Sequence, residues 1–347
     1  MPTQLIFGKG THMEVGEEVR KRTNKKILFM LLAKDSLERI GAYDDIVKSL
    51  EDSNVEYIEL DGVTPCTMRI KARDGAEMCR REGIEFVLAV GGRSVLDCAK
   101  AIVRESSLGL GVISTIPAAS TDIADVHPTF SIINPELTAT LPQERIAQNV
   151  VDILAHMMDH YFTNTTATDI TDRMMESAMK TVVRVGQKYY LDGYDFDIVS
   201  QIMCAAAFAH SFPLCVGRQG DFAAHCLSRE LSKAYGLPHT EALSVIYPAW
   251  LRHVQGHNSA RMAQFCVNVM GVENSFLNVE GTIERGIAAL EQFYISLGMP
   301  IRIGQTGIAN CDIDKLAEMA YANETQTLGT YVALEREGVL KIYELAL

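Results

Sequence analysis

The chain has 347 residues, 48% hydrophobic and 22% charged, with a formal net charge of −12. That length has room for two domains. The acidic balance, without any basic run, argues against nucleic-acid binding, which needs clustered Lys and Arg for phosphate contacts. No apolar stretch is long enough for a membrane span, and the N-terminus lacks the apolar core of a secretory signal. The eight cysteines show no Cys-x-x-Cys spacing, which fits buried thiols in a reducing compartment. A soluble, cytoplasmic protein is the expectation.

Taken in order, strand-like runs fall at 4–7, 27–32, 55–60, 86–90 and 112–116. They alternate with helical patterns at 13–22, 43–53, 70–82 and 95–105. The run Ile27-Leu28-Phe29-Met30-Leu31-Leu32 is continuously apolar, as strands buried on both faces are, and Gly83 stands past the end of its helix. This alternation predicts a doubly wound parallel sheet with helices on both faces. Ligands of such sheets bind at the carboxyl ends of the strands. After about Gln143 helical periodicity takes over, at 144–162, 169–190, 195–212, 222–235, 241–255, 258–270, 280–297, 312–322 and 335–346. A domain boundary is placed near Pro142, with an α/β domain over 1–142 and an all-α domain over 143–347. No internal repeat or low-complexity linker is visible.

Two groups of residues carry chemistry. Gly91-Gly92-Arg93-Ser94 ends a strand and opens a helix, a turn that offers backbone N–H groups and a positive helix terminus to a phosphate. It lacks the Gly-x-Gly-x-x-Gly fingerprint, and Ser94 could equally be a helix cap. The second group is Asp152-x-x-x-His156 with His225 and His239. Spacing i, i+4 puts Asp152 and His156 on one helix face, where they could share a divalent metal, although such pairs also occur as plain hydrogen-bonded partners. His225 falls on the first turn of the helix over 222–235, and His239 lies past its end, beyond Gly236 and Pro238. That helix is roughly 20 Å long, so the two histidines meet only if the chain after it folds back beside the helix start.

The combination resembles the iron-containing (group III) alcohol dehydrogenases, on the branch of the NAD(P)H-dependent butanol dehydrogenases. The matching stretches are Phe7-Gly8-Lys9-Gly10-Thr11, Val87 to Asp97, Asn134-Pro135-Glu136-Leu137-Thr138, Asp152-x-x-x-His156, Gly220-Asp221-Phe222-Ala223-Ala224-His225 and Gly236-Leu237-Pro238-His239. The resemblance implies a dehydroquinate synthase-like fold: an N-terminal dinucleotide-binding α/β domain and a C-terminal all-helical metal domain. It also implies reversible oxidation of a small primary alcohol, or reduction of an aldehyde, with NAD(P)(H). The metal, Fe2+ or Zn2+, is expected on Asp152, His156, His225 and His239. Gly91, Gly92, Ser94, Asp97 and Thr115 are expected to hold the cofactor, with Lys34 and Ser36 near the adenosine ribose. A homodimer is implied, with no nucleic-acid or membrane partner.

The chain departs from the pattern in several places. Arg93 replaces the third glycine of Gly-Gly-Gly-Ser, and Ala33-Lys34-Asp35-Ser36 replaces a second glycine-rich turn. There Lys34 would favour a 2′-phosphate and Asp35 a free 2′-hydroxyl. Pro65-Cys66-Thr67 stands for Pro-Asn-Pro. Arg229 occupies the place of a histidine often assigned to proton relay. Relatives carry a few tens more residues between Ser106 and Leu108 and around Ser120-Thr121. Both joins are expected to be breaks or unusually mobile points.

Overall fold

The computed structural model describes residues 3–32, 34–64, 66–117, 126–209, 212–322 and 328–347. The chain folds into two compact units, Met1–Leu141 with Tyr194–His210, and Pro142–Gly193 with Ser211–Leu347.

Six strands of the first unit form one parallel sheet among the described residues: β1 (Gln4–Phe7), β2 (Ile27–Leu31), β3 (Tyr57–Leu60), β4 (Phe86–Gly91), β5 (Gly109–Ser114) and β6 (Phe130–Ile133). Their spatial order is β1-β6-β5-β4-β2-β3, all pairs parallel. Successive side chains of a strand face opposite ways, and β2, buried throughout, feeds both faces. Ile27, Phe29 and Leu31 pack with Val15, Val19, Ile46 and Leu50, on the side of α1 (Val15–Arg20) and α3 (Ala42–Asp52). Leu28 and Met30 pack with Ala76, Cys79, Ala99 and Ile102, on the side of α4 (Met68–Glu82) and α5 (Arg93–Ser106). Each fully buried side chain of this size contributes about 1.5–3 kcal/mol. The short α2 (Lys34–Glu38) follows β2.

Strand β5 begins at Gly109, earlier than the expected 112–116, and β6 has no counterpart among the expected strands. Glycine weakens a strand signal. In β5, however, Gly109 and Gly111 are needed: a Cβ at either would run into the ring of Phe86 or Phe130, and these two rings stack at 6.0 Å across the glycines. At four residues, β6 is too short to show a period.

The expected break at 106–108 is not there. Helix α5 ends at Ser106, Ser107 takes a left-handed conformation (φ 53°, ψ 39°), and β5 starts two residues later. The N–H of Gly109 bonds Glu85 O at 2.9 Å. The connection is a short continuous turn, and a left-handed residue at the helix end is the ordinary way to make one. The second join, at Ser120-Thr121, lies outside the described residues.

The second unit is helical among its described residues: α6 (Gln143–Tyr161), α7 (Asp169–Asp192), α9 (Phe212–Cys215), α10 (Ala223–Tyr235), α11 (His239–Val254), α12 (Ser259–Asn268), α13 (Val279–Ser296), α14 (Ile313–Ala322) and α15 (Arg336–Ala346), while α8 (Phe196–Ala209), between α7 and α9 in sequence, belongs to the first unit. Helix α8 packs near the turn Pro135–Thr138, so a helical segment later in sequence is part of the sheet-containing unit. No described helix is long and apolar enough to cross a membrane.

Candidate metal centre

Helix α6 is the spine of the site. It enters from Pro142, an extended N-cap at ψ 149°, and buries nearly every residue from Ile146 to Asp159. Asp152 and His156 lie one turn apart, with His156 Nε2 at 3.7 Å from Asp152 Oδ1 and side chains 8% and 4% exposed.

His225 is delivered by the first turn of α10. The helix starts at a strained point, since Phe222 is left-handed (φ 58°). Such a conformation costs on the order of 1–2 kcal/mol for a non-glycine residue. Its neighbour Asp221 fixes that start: the carboxylate accepts the N–H groups of Ala223 (3.0 Å), Thr330 (2.7 Å) and Tyr331 (2.7 Å). Burial pushes the Asp221 carboxyl upward, against the pull of these three donors. The Phe222 ring meets His160 edge-on at 5.1 Å. Burial lowers the His160 imidazole, which favours its neutral form.

Beyond α10 the chain does fold back. Gly236 ends the helix at φ +68°, Ser232 Oγ bonds Leu237 O at 2.6 Å, and Ser228 Oγ approaches Ala242 O at 3.4 Å. Helix α11 thus runs back along α10, and His239, its first residue, returns to His225.

Three of the four expected ligands share one group, and His156 falls with His225 in a second that overlaps it. Asp152, His225 and His239 each offer an atom within 4.8 Å of the others. The ring centroids of His156 and His225 are 4.5 Å apart, and those of His225 and His239 are 5.0 Å apart. One carboxylate and three imidazoles, without thiolate, form a donor set suited to Fe2+ or Zn2+.

The sequence reading missed Asp159. Its side chain is 1% exposed, and its Oδ2 accepts from His225 Nδ1 at 2.8 Å and lies 3.8 Å from His156 Nδ1. It forms a second overlapping group with His156 and His225. Its other oxygen is hydrogen bonded to the Tyr247 hydroxyl, which also lies 2.9 Å from Ala155 O. Burial first, then the Asp159 charge, push the Tyr247 phenol far upward, so it stays a donor. A signal was available: Asp159 stands i+3 from His156, on the same helix face. Trp250 is core, with its ring among Phe162, Tyr247 and Tyr331.

In the first unit, Gly91 ends β4 and Gly92 is the N-cap of α5, with no side-chain acceptor capping the helix. Thr115, just past β5, is tied to this turn by its N–H to Gly91 O at 3.2 Å. Gly91 has φ +156°, and a Cβ there would lie 2.7 Å from Val95 Cγ2. Ser94 is the second residue of α5 and does not cap it, while Asp97 is buried one turn on. Lys34 and Ser36 lie on α2. Lys34 is already engaged, with its Nζ 2.9 Å from the Tyr43 hydroxyl, 3.8 Å from Glu59 and 4.0 Å from Glu38. Arg229 is half exposed and pairs with Glu230 at 3.3 Å.

A parallel sheet with a glycine turn at a strand's carboxyl end, and a helical cluster of Asp152, His156, His225 and His239, fit a metal-dependent oxidoreductase of the dinucleotide-binding kind. Comparison with known proteins agrees. Residues 2–133 match the iron-containing alcohol dehydrogenase family, and residues 146–347 match the C-terminal part of the Fe-containing alcohol dehydrogenase family. The chain belongs to the iron-containing alcohol dehydrogenases. It is 30% identical to a probable NADH-dependent butanol dehydrogenase 1 of Bacillus subtilis, over 383 aligned positions covering 100% of this chain and 98% of that one. It is 25% identical to an NADPH-dependent aldehyde reductase of Escherichia coli, covering 99% and 98%. The crystal structure of an NADH-dependent butanol dehydrogenase A from Thermotoga maritima superposes with a TM-score of 0.90 at 27% identity, over 99% of this chain and 97% of that one.

Proposed function

We propose that this chain interconverts a small primary alcohol and its aldehyde with NAD(P)(H), using Fe2+ or Zn2+ held by Asp152, His156, His225 and His239. The observation that carries the reading is the clustering of Asp152, His225 and His239, each with an atom within 4.8 Å of the others, and the His156 ring 4.5 Å from that of His225. The relatives named as butanol dehydrogenases and as an aldehyde reductase support the substrate class. When bound, the cation supplies Lewis acidity to the alcohol oxygen, and the nicotinamide supplies the hydride acceptor.

Each residue has a task that follows from its chemistry. Asp152 offsets part of a dication's charge, and the neutral imidazoles leave the remainder to act on an alcohol oxygen. Gly91 and Gly92 let backbone approach a pyrophosphate, and the uncapped start of α5 offers it N–H donors. Ser94 and Thr115 flank that turn, Asp97 follows on α5, and Lys34 and Ser36 are assigned to the ribose side. Arg229 keeps its proton near neutral pH, so the alcohol proton leaves through solvent or a coenzyme hydroxyl. An intracellular homodimer completes the proposal. Its support is the edge position of β1, whose Leu5 and Phe7 are 48% and 41% exposed.

Metal analysis after purification without chelator tests the centre. About one equivalent is expected in the parent chain, because ligand side chains set the affinity, with loss in Asp152→Ala and in His225→Ala. Full occupancy in either variant would refute the assignment.

A further inference from the structure

We propose that Asp159, outside the ligand set, is the positioning carboxylate of the metal centre, fixing the ring orientation and tautomer of His225. The inference rests on the four-ligand reading above. A carboxylate only accepts, so at 2.8 Å from Asp159 Oδ2 the His225 Nδ1 carries the hydrogen. That leaves Nε2 with the lone pair a metal needs. The same oxygen lies 3.8 Å from His156 Nδ1, so one carboxylate faces the outer nitrogens of two ligand rings.

Asp159 is itself held at two points, on its side chain and on its backbone. Tyr247, on α11, donates to Oδ1. The side chain is 1% exposed, which shields these hydrogen bonds from water. Its backbone carbonyl, in the last turn of α6, accepts the N–H of Asp221 at 2.8 Å. Residue 159 therefore grips both ends of the short path from Asp221 to His225, and Tyr247 ties the grip to the helix that begins with His239. With both carboxylate oxygens committed to these hydrogen bonds, Asp159 acts as an orienter of ligands rather than a fifth ligand.

The test is a chelator competition with Co2+, paired with the visible spectrum of the Co2+-loaded protein and the melting temperature of the metal-free protein. Loss of a carboxylate behind a ligand histidine is expected to weaken metal binding about 10–100-fold in Asp159→Ala. Asp159→Asn keeps the shape and a neutral acceptor, and should lie between Asp159→Ala and the parent. Tyr247→Phe, which only loosens the carboxylate, should have the smallest effect. The Co2+ bands should keep the parent's position and intensity in Asp159→Asn, in contrast to His225→Ala, which removes a ligand. Parent-like affinity in both Asp159 variants, with the parent binding Co2+, overturns the positioning role. So does a Co2+ spectrum in Asp159→Asn that changes as in His225→Ala, which would make Asp159 a ligand. A parent chain without Co2+ affinity instead overturns the four-ligand reading. Should Asp159→Ala not fold, Asp159→Asn and Tyr247→Phe decide the question.

Discussion

The proposed metal centre and the proposed phosphate turn are built on opposite principles. In the helical unit the candidate site consists of side chains, and His225 is aimed by further buried groups: Asp159 behind it, Tyr247 behind Asp159, and Asp221 at the start of α10. In the sheet unit the site consists of backbone: Gly91, Gly92 and the uncapped start of α5. A side-chain site depends on residue identity, whereas a backbone site depends on conformation and clearance. Arg93 stands beside the backbone-built turn, where a side chain can be tolerated if it points away, while a change at any of the four proposed ligands removes a donor atom.

Substitutions that strike one unit alone should break or sharpen this contrast. The largest effect is expected from Asp172→Asn. Asp172 holds Arg218, whose side chain is fully buried, at 2.8 Å, and Arg261 at 3.0 Å. Removing the charge leaves buried guanidinium without its anion, at a cost of about 3–5 kcal/mol. Chemical denaturation followed by circular dichroism would measure it. An unchanged midpoint would mean that this ion cluster is not part of the scaffold on which the metal-bearing helices rest.

Next comes Gly91→Ala, which strikes the backbone site. The new Cβ meets Val95 Cγ2 at 2.7 Å in an unfavourable backbone conformation, a strain of about 1–3 kcal/mol. Nucleotide binding, followed by nicotinamide fluorescence, should weaken tenfold or more while metal content stays at the parent level. Equal loss of metal would show that the two sites do not fail separately.

The smallest effect is pH-dependent and belongs to the helical scaffold. Burial alone would raise the Glu291 carboxyl, but hydrogen bonds and charge from Arg252 and Arg302 outweigh it and hold the group below its ordinary 4.5. A carboxyl lowered by folding stabilises the protein fully above its unfolded value, and that contribution is lost as pH falls through the folded value. Glu291→Gln should therefore cost about 1 kcal/mol near pH 7, since water still reaches both arginines, and the gap to the parent should narrow as pH falls below the ordinary carboxyl value of 4.5. A gap that is constant with pH would place the cost in packing rather than in charge.

Legibility followed the length and repetition of the signals. The long helices were readable because their apolar period repeats over several turns, as in α6 and α13. Strand β6, with four residues, and β5, whose Gly109 and Gly111 make room for two phenylalanine rings, were not. The proposed ligand set could be named because Asp152 and His156 are neighbours on one helix face and the flanking motifs match a family. The short turn at Ser107 was misjudged because a left-handed residue that closes α5 in one step leaves no mark in composition.

By itself the sequence determined the periods, the helix stops and the four donors, because these are local properties of residue type and spacing. Only the tertiary structure decided that the chain after Gly236 runs back along α10 and returns His239 to His225. It alone placed Asp159 behind the imidazole and Tyr247 behind Asp159. Such contacts join residues up to 88 positions apart, and no local rule of spacing encodes a hydrogen bond across that distance.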